Sequence, residues 1–115
     1  MNGRFVASLC LAAALAGCAT SRRGPEEPEF VGRTLRVETA AGQASTLRFE
    51  RDGTVIARFG EQETRGRWSL EPRELCFTWR QTFRECWPYT QPFRTGRTVP
   101  IRSDRGNAVQ VTMLR

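Results

Sequence analysis

The chain has 115 residues, with 18 basic and 12 acidic side chains and no histidine. Every basic residue is an arginine, so histidine-based catalysis, histidine metal ligands and reactive lysines are all excluded. The length suits one small domain. The net charge of +6 is explained either by an anionic partner or by a codon supply that favours arginine over lysine.

The first predicted element is an export signal at residues 1–17. Arg4 supplies a positive charge, and residues 5–16 are an unbroken run of apolar or small side chains. This run is too short for a membrane-spanning helix, which needs about 20 residues. We therefore expect the signal to be removed from the mature protein.

The signal ends in Leu15, Ala16, Gly17 and Cys18, which match the lipobox of bacterial lipoproteins. This resemblance implies that the Cys18 thiol receives diacylglycerol, that cleavage occurs before it and that the new amino group is acylated, as with palmitate. Two or three acyl chains hold a protein stably on a membrane. Because Ala19 follows in place of aspartate, the resemblance places the protein on the periplasmic face of the outer membrane. The alternative is ordinary cleavage near residues 14–16 with Cys18 as a free thiol.

Residues 18–29 are predicted to be the lipidated cysteine followed by a flexible linker. The segment contains two prolines, a glycine and a run of charges, and it has no hydrophobic period. Arg22 and Arg23 lie close enough to the anchor to meet anionic headgroups. The folded domain is expected to occupy residues 30–115.

Apolar and polar residues alternate through this domain, which predicts strands and no helix. Asp52 and Gly53 separate two such runs and predict a tight hairpin. The fold class is therefore all-β: an antiparallel meander of six to eight strands that closes into a small barrel or sandwich. The predicted strands include residues 35–37, 47–49, 64–70, 74–79, 83–89, 98–102 and 107–114.

Two cysteines lie in the segment LCFTWRQTFRECWPY. If it forms a hairpin around residues 80–82, Cys76 lies directly opposite Cys86, and the same register pairs Leu75 with Trp87. We therefore predict a structural disulfide, which an exported protein can keep. A metal site would lack further ligands, and a redox-active pair would have only two residues between the cysteines. No metal site is expected.

Aromatic residues are concentrated between residues 68 and 89, and most are expected in the core. The candidate binding rim consists of Trp87, Tyr89, Phe93 and Arg94, because Pro88 ends a strand beside them. Aromatic and arginine side chains of this kind are enriched at binding hot spots.

Glu74 and Glu85 are the candidates for a catalytic carboxylate pair, which glycoside hydrolysis would need. We favour instead that they are solvated partners of Arg84 and Arg73. With no histidine or lysine, the usual catalytic sets cannot be assembled, so the protein is not expected to be an enzyme.

Gly66, Arg67 and Trp68 resemble the Gly-x-Trp of lipocalin-like small barrels, although here the motif lies in the middle of the domain. The order of motifs from Val31 onward is similar to that of small exported proteobacterial proteins of unknown function. These resemblances imply a small β-barrel and a non-enzymatic role.

The expected function is a lipid-anchored binding module of the cell envelope. Its partner is expected to be an envelope protein or an anionic envelope component, with no cofactor and no nucleic acid. The alternatives are an inhibitor of a protease or lysozyme that attacks the envelope, and a purely structural lipoprotein.

Overall fold

The computed structural model describes residues 27–80 and 82–115. The predicted signal, Cys18 and most of the predicted linker lie outside the described residues. Eight strands confirm the all-β prediction. They are β1 (Thr34–Thr39), β2 (Ala44–Phe49), β3 (Thr54–Phe59), β4 (Gln62–Glu71), β5 (Glu74–Trp79), β6 (Phe83–Pro88), β7 (Thr98–Arg102) and β8 (Ala108–Met113).

The strands form one antiparallel sheet in the order β6-β5-β4-β3-β2-β1-β8-β7. β1 to β6 are a simple meander, and the β7–β8 hairpin then returns to pair with β1. The two edge strands, β6 and β7, come near each other, so the sheet is a nearly closed barrel. Across the described ranges there is no helix, and hence none long and apolar enough to cross a membrane.

The core lies inside the barrel because alternate residues of each strand point inward. In β1, Leu35 and Val37 are buried while Arg36 between them is exposed. The same alternation buries Leu47 and Phe49 in β2. The core comprises Phe30, Leu35, Val37, Leu47, Phe49, Val55, Ala57, Leu75, Phe77, Trp87, Phe93, Ile101, Val111 and Met113.

The predicted hairpin at Asp52 and Gly53 connects β2 to β3. Gly53 has a φ of 95°, a conformation that a side chain would disfavour. The Asp52 carboxylate accepts a hydrogen bond from the Thr54 N–H at 2.9 Å, as aspartate often does in turns. That hydrogen bond and a second from the Thr54 side chain lower the pKa of the Asp52 carboxyl.

The predicted disulfide joins Cys76 to Cys86, in the predicted register. Leu75 opposes Trp87 and Trp79 opposes Phe83, so the cysteine and aromatic patterns agree. The Cys76 and Cys86 Cα atoms are directly opposite each other and 4.0 Å apart. The disulfide lies on the outer face of the sheet and staples the edge strand β6 to β5.

The β7–β8 turn holds the free edge of β6. The Cys86 N–H donates to the Asp104 carboxylate at 2.9 Å, and the Asp104 N–H donates to the Cys86 carbonyl at 3.0 Å. The Arg105 Nε donates to the Arg84 carbonyl at 2.8 Å. Pro88 in β6 and Pro100 in β7 have no N–H to offer, which discourages pairing with another chain at either edge.

The two ends of the barrel are built differently. We call the end with residues 27–33, the β2–β3 and β4–β5 turns and the 89–97 loop the closed end. Phe30 plugs it: its ring is fully buried, with centroids 4.9 Å from Phe49, 5.3 Å from Trp68 and 5.7 Å from Tyr89. The other end, with the β1–β2, β3–β4, β5–β6 and β7–β8 turns, is the open end.

The folded part begins before the predicted boundary at residue 30. Glu29 accepts hydrogen bonds from the Tyr89 hydroxyl at 2.7 Å and from the Phe93 N–H at 2.8 Å. Glu27 forms an ion pair with Arg51. These two residues of the predicted linker therefore belong to the barrel.

Candidate functional site

A cavity of about 500 Å³ opens at the open end of the barrel. This volume is within the range of small-molecule sites, which is about 300–1,000 Å³. The lining side chains come from seven of the eight strands and from two turns. They are Val37, Thr39, Ser45, Leu47, Ala57, Phe59, Thr64, Phe77, Trp79, Arg80, Glu85, Trp87, Asn107, Ala108 and Val109.

The cavity is apolar at its base and more polar at its mouth. Val37, Leu47 and Ala57 are buried and lie on inward positions of β1, β2 and β3. The polar lining residues Thr39 and Ser45 lie at the ends of β1 and β2 that meet at the open end. This gradient suits a molecule with an apolar body and a polar end.

One wall of the cavity is aromatic. Phe77 and Trp79 are stacked at 6.3 Å, and Trp87 meets Phe77 edge-on at 4.8 Å. The Trp79 ring lies against Gly66 of β4, where a Cβ atom would come within 2.6 Å of the ring. Gly66 therefore lets the indole lie flat on the sheet, which explains the glycine of the Gly66-Arg67-Trp68 sequence.

Trp68, the tryptophan of that sequence, lies at the closed end of the barrel. The Trp68 ring contacts Phe30 and Phe49, and its Nε1 donates to the Glu50 carbonyl at 2.8 Å. The motif thus connects the cavity wall to the plug.

Charged and aromatic groups surround the mouth. Arg80 is exposed and adopts a positive φ of 54° in the β5–β6 turn. Glu85 accepts a hydrogen bond from the Asn107 amide at 2.7 Å. Phe59 is 44% exposed and Phe83 is 41% exposed, each at the strand end that faces the mouth. The Arg105 guanidinium lies 4.4 Å from the centre of the Phe83 ring.

The four residues of the predicted binding rim do not form one surface. Trp87 is 6% exposed and lines the cavity. Tyr89, Phe93 and Arg94 instead line a groove of about 430 Å³ between the 89–97 loop and β7. Phe93 is only 7% exposed because it packs beside Phe30 in the plug. The predicted rim is therefore divided between two spaces, with Trp87 in the cavity and the other three residues in the groove.

Tyr89 is held by its contact with Glu29. Burial, the hydrogen bond from its hydroxyl to the Glu29 carboxylate and the negative charge of that carboxylate raise the pKa of Tyr89 well above its usual range. The phenol is therefore a hydrogen-bond donor that fastens residue 29 to the plug. This role is structural.

The candidate carboxylate pair is also separated. Glu74 lies on the outer face with Cys76, whereas Glu85 lines the cavity inside. Arg84 pairs with Glu71 at 3.4 Å, not with Glu74 or Glu85 as predicted. Glu74 lies beside the two cysteine sulfurs, but these are bonded to each other and offer no thiolate to a metal.

Sequence reasoning missed the cavity and its mouth. Ala57 and Phe59 continue the inward alternation that starts at Val55, and the turn after Phe59 predicts an exposed strand end there. Phe83 likewise begins β6 just after a turn. The alternation pattern thus contained a signal for an aromatic mouth, but not for which end of the barrel is open.

Comparisons of the chain with protein-family models, with characterised proteins and with solved structures gave no match. The functional conclusion therefore depends on the geometry of the site.

Proposed function

We propose that this protein is a lipid-anchored, non-catalytic binding module of the bacterial cell envelope. Its ligand site is the cavity at the open end, and its ligand is an amphiphile with a single alkyl chain of the fatty-acyl type. The observation that carries the ligand proposal is the apolar cavity with an arginine at its mouth. The anchor and the periplasmic location are inferred from the lipobox at residues 15–18.

The arrangement of the cavity favours an alkyl chain with a polar head. The aliphatic and aromatic base would surround methylene groups, and Arg80 is placed to meet an anionic head at the mouth. The Glu85 carboxylate, which also lines the cavity, accepts a hydrogen bond from the Asn107 amide at 2.7 Å. About eight buried methylene groups would contribute about 6 kcal/mol, at about 0.8 kcal/mol each. This corresponds to dissociation constants of tens of micromolar, before the cost of immobilisation.

A non-catalytic role agrees with the groups that line the cavity. Its ionisable side chains are Arg80 and Glu85, and no histidine or lysine is present in the chain. The Glu85 carboxylate accepts its hydrogen bond from Asn107, and among the described residues none of the hydroxyls of Thr39, Ser45 and Thr64 is hydrogen-bonded to it, so no hydroxyl is paired with a base that would activate it. Recognition is what these groups can provide.

Tryptophan fluorescence provides the test. Trp79 and Trp87 line the cavity, whereas Trp68 lies in the plug, so an alkyl ligand should change the emission of the first two. We expect saturable titration with dodecanoate by the chain from residue 19 onward. That chain keeps every buried side chain the structure describes, since these lie between Phe30 and Met113.

A matched pair of variants locates the site. Ala57→Phe fills the cavity from inside, whereas Ile56→Phe places the same ring one residue away on the outer face. Dodecanoate affinity should fall at least tenfold in the first variant and stay unchanged in the second. Thr64→Leu, at the mouth opposite Ala57, gives a milder filling should Ala57→Phe fail to fold. Equal affinity in all variants would refute the proposed site.

The inhibitor alternative predicts a different result. Inhibition would use the exposed mouth residues Phe59 and Phe83 against a protein, and an alkyl ligand would not be required. Stoichiometric capture of an envelope hydrolase, abolished by Phe59→Ala and Phe83→Ala but not by Ala57→Phe, would favour this alternative. The two sets of variants therefore separate the two functions.

A further inference from the structure

We propose a second site at the closed end, where an arginine groove binds the headgroup phosphate of an anionic phospholipid. The arginine groove is the space of about 430 Å³ between the 89–97 loop and β7, and it is lined by Arg94 and Arg97 at the closed end. Arg102 lines its far end, where β7 meets the β7–β8 turn, and donates to the Gly106 carbonyl at 3.3 Å. The placement of the groove at a membrane depends on the proposed lipid anchor, whereas the binding of phosphate by its arginines does not.

The groove is held in place by backbone hydrogen bonds. The Arg97 N–H donates to the Arg94 carbonyl at 3.0 Å, which brings these two side chains to one turn. The Gly96 N–H donates to the Met113 carbonyl at 2.7 Å and ties that turn to β8. Arg33 joins the same surface because its guanidinium donates to the Thr95 hydroxyl at 3.2 Å. The backbone positions that carry Arg94 and Arg97 are therefore fixed relative to β8.

None of these arginines forms an ion pair among residues 27–80 and 82–115. The six ion pairs of those residues use other arginines, most of them on the outer wall of the barrel, such as Arg36, Arg48 and Arg58. The Glu29 carboxylate, which is hydrogen-bonded to two residues of the 89–97 loop, accepts from the Tyr89 hydroxyl and from the Phe93 N–H. Arg33, Arg94 and Arg97 are all exposed. Guanidinium groups bind phosphate through paired hydrogen bonds, so a phosphate is the expected ligand.

The direction of the chain favours a lipid as the source of that phosphate. Residues 27–33 pack at the closed end, so the described chain begins at the same end of the barrel as the groove. The eight residues between Cys18 and Glu27, taken as a flexible linker, would give a reach of roughly 16 Å, which keeps this end near the membrane. The cavity mouth is then at the end of the barrel away from the anchor, facing the aqueous space.

Vesicle binding tests the groove without the anchor. The chain from residue 19 onward should sediment with vesicles of phosphatidylcholine and phosphatidylglycerol, and not with phosphatidylcholine alone. Arg94→Gln with Arg97→Gln should lower the partition coefficient about 10- to 30-fold, from about 1 kcal/mol for each arginine. The control pair Arg36→Gln with Arg58→Gln removes the same charge from the ion-paired outer wall. It should change binding less than threefold.

Each other outcome overturns the proposal. An equal loss in both pairs would show attraction by net charge alone, and no loss in either would exclude the groove. Binding of inorganic phosphate without binding to anionic vesicles would show that the phosphate source is not a lipid. Dodecanoate titration of the same variants reports the cavity separately, so failure of the groove is distinguishable from failure of the proposed function.

Discussion

The closed and open ends of this barrel use aromatic residues in opposite ways. At the closed end Phe30 is fully buried between Phe49 and Trp68, and the polar groups around it are hydrogen-bonded. At the open end Phe59 and Phe83 are more than two-fifths exposed around an unfilled cavity. The comparison teaches that aromatic content alone does not mark a binding site: the plug stabilises the fold, and the mouth is available to a ligand.

The largest expected effect comes from the plug. Phe30→Ala removes a fully buried ring, and such changes cost about 3–5 kcal/mol. Phe59→Ala at the mouth should cost less than about 1 kcal/mol, because that ring is 44% exposed. Urea unfolding of both variants measures the difference. Dodecanoate affinity should show the reverse order, with the larger loss in Phe59→Ala. Equal destabilisation would contradict the distinction between the two ends.

Gly66 lies between the two ends and gives an intermediate effect. An alanine Cβ there would lie 2.6 Å from the Trp79 ring and 2.7 Å from the Thr78 carbonyl oxygen, so both must shift. Overpacking of this kind costs about 1–3 kcal/mol. Gly66→Ala should also weaken dodecanoate binding, because the displaced indole would enter the cavity.

A double-mutant cycle checks the cause of that effect. If the clash with the ring is responsible, Gly66→Ala should cost less in a Trp79→Ala background, with a coupling of at least about 0.5 kcal/mol. Additive costs would mean that the Thr78 carbonyl alone sets the penalty. The wall would then not depend on the glycine.

Much of the fold could be predicted because its signals are local. Alternation within each strand, the Asp52–Gly53 turn and the Cys76–Cys86 register all depend on residues close in sequence. The identity of the closed end depends on contacts across about sixty residues, such as Glu29 with Tyr89. Because Glu27 and Glu29 lie among prolines and charges, they resembled a linker. For this reason the sequence predicted neither the plug at the closed end nor which end of the barrel is open.

The smallest expected effect is a pH dependence confined to the closed end. The folded-state pKa of Tyr89 lies above that of the unfolded chain, which is about 10. Above that pH the unfolded chain loses the phenol proton while the folded chain keeps it. The folded state then binds more protons, so stability falls as pH rises and is unaffected below pH ~9. If the folded state held one proton more than the unfolded state, the free energy of unfolding would fall by about 1.4 kcal/mol per pH unit. We expect a fall of about 0.5 kcal/mol per pH unit, because Tyr89 is partly exposed.

The composition of this chain allows the alkaline change in stability to be assigned to one side chain. Tyr89 is the one tyrosine of the chain, and the chain has no lysine. Between about pH 9 and pH 12, where tyrosine and lysine side chains titrate, Tyr89 is therefore the side chain of the folded domain whose protonation changes. Tyr89→Phe should lose the alkaline decline, since phenylalanine does not titrate. It should also be less stable at neutral pH by about 1 kcal/mol, because the Glu29 carboxylate loses a donor. An alkaline decline that persists in Tyr89→Phe would mean that the Glu29–Tyr89 contact does not hold the N-terminal segment on the closed end.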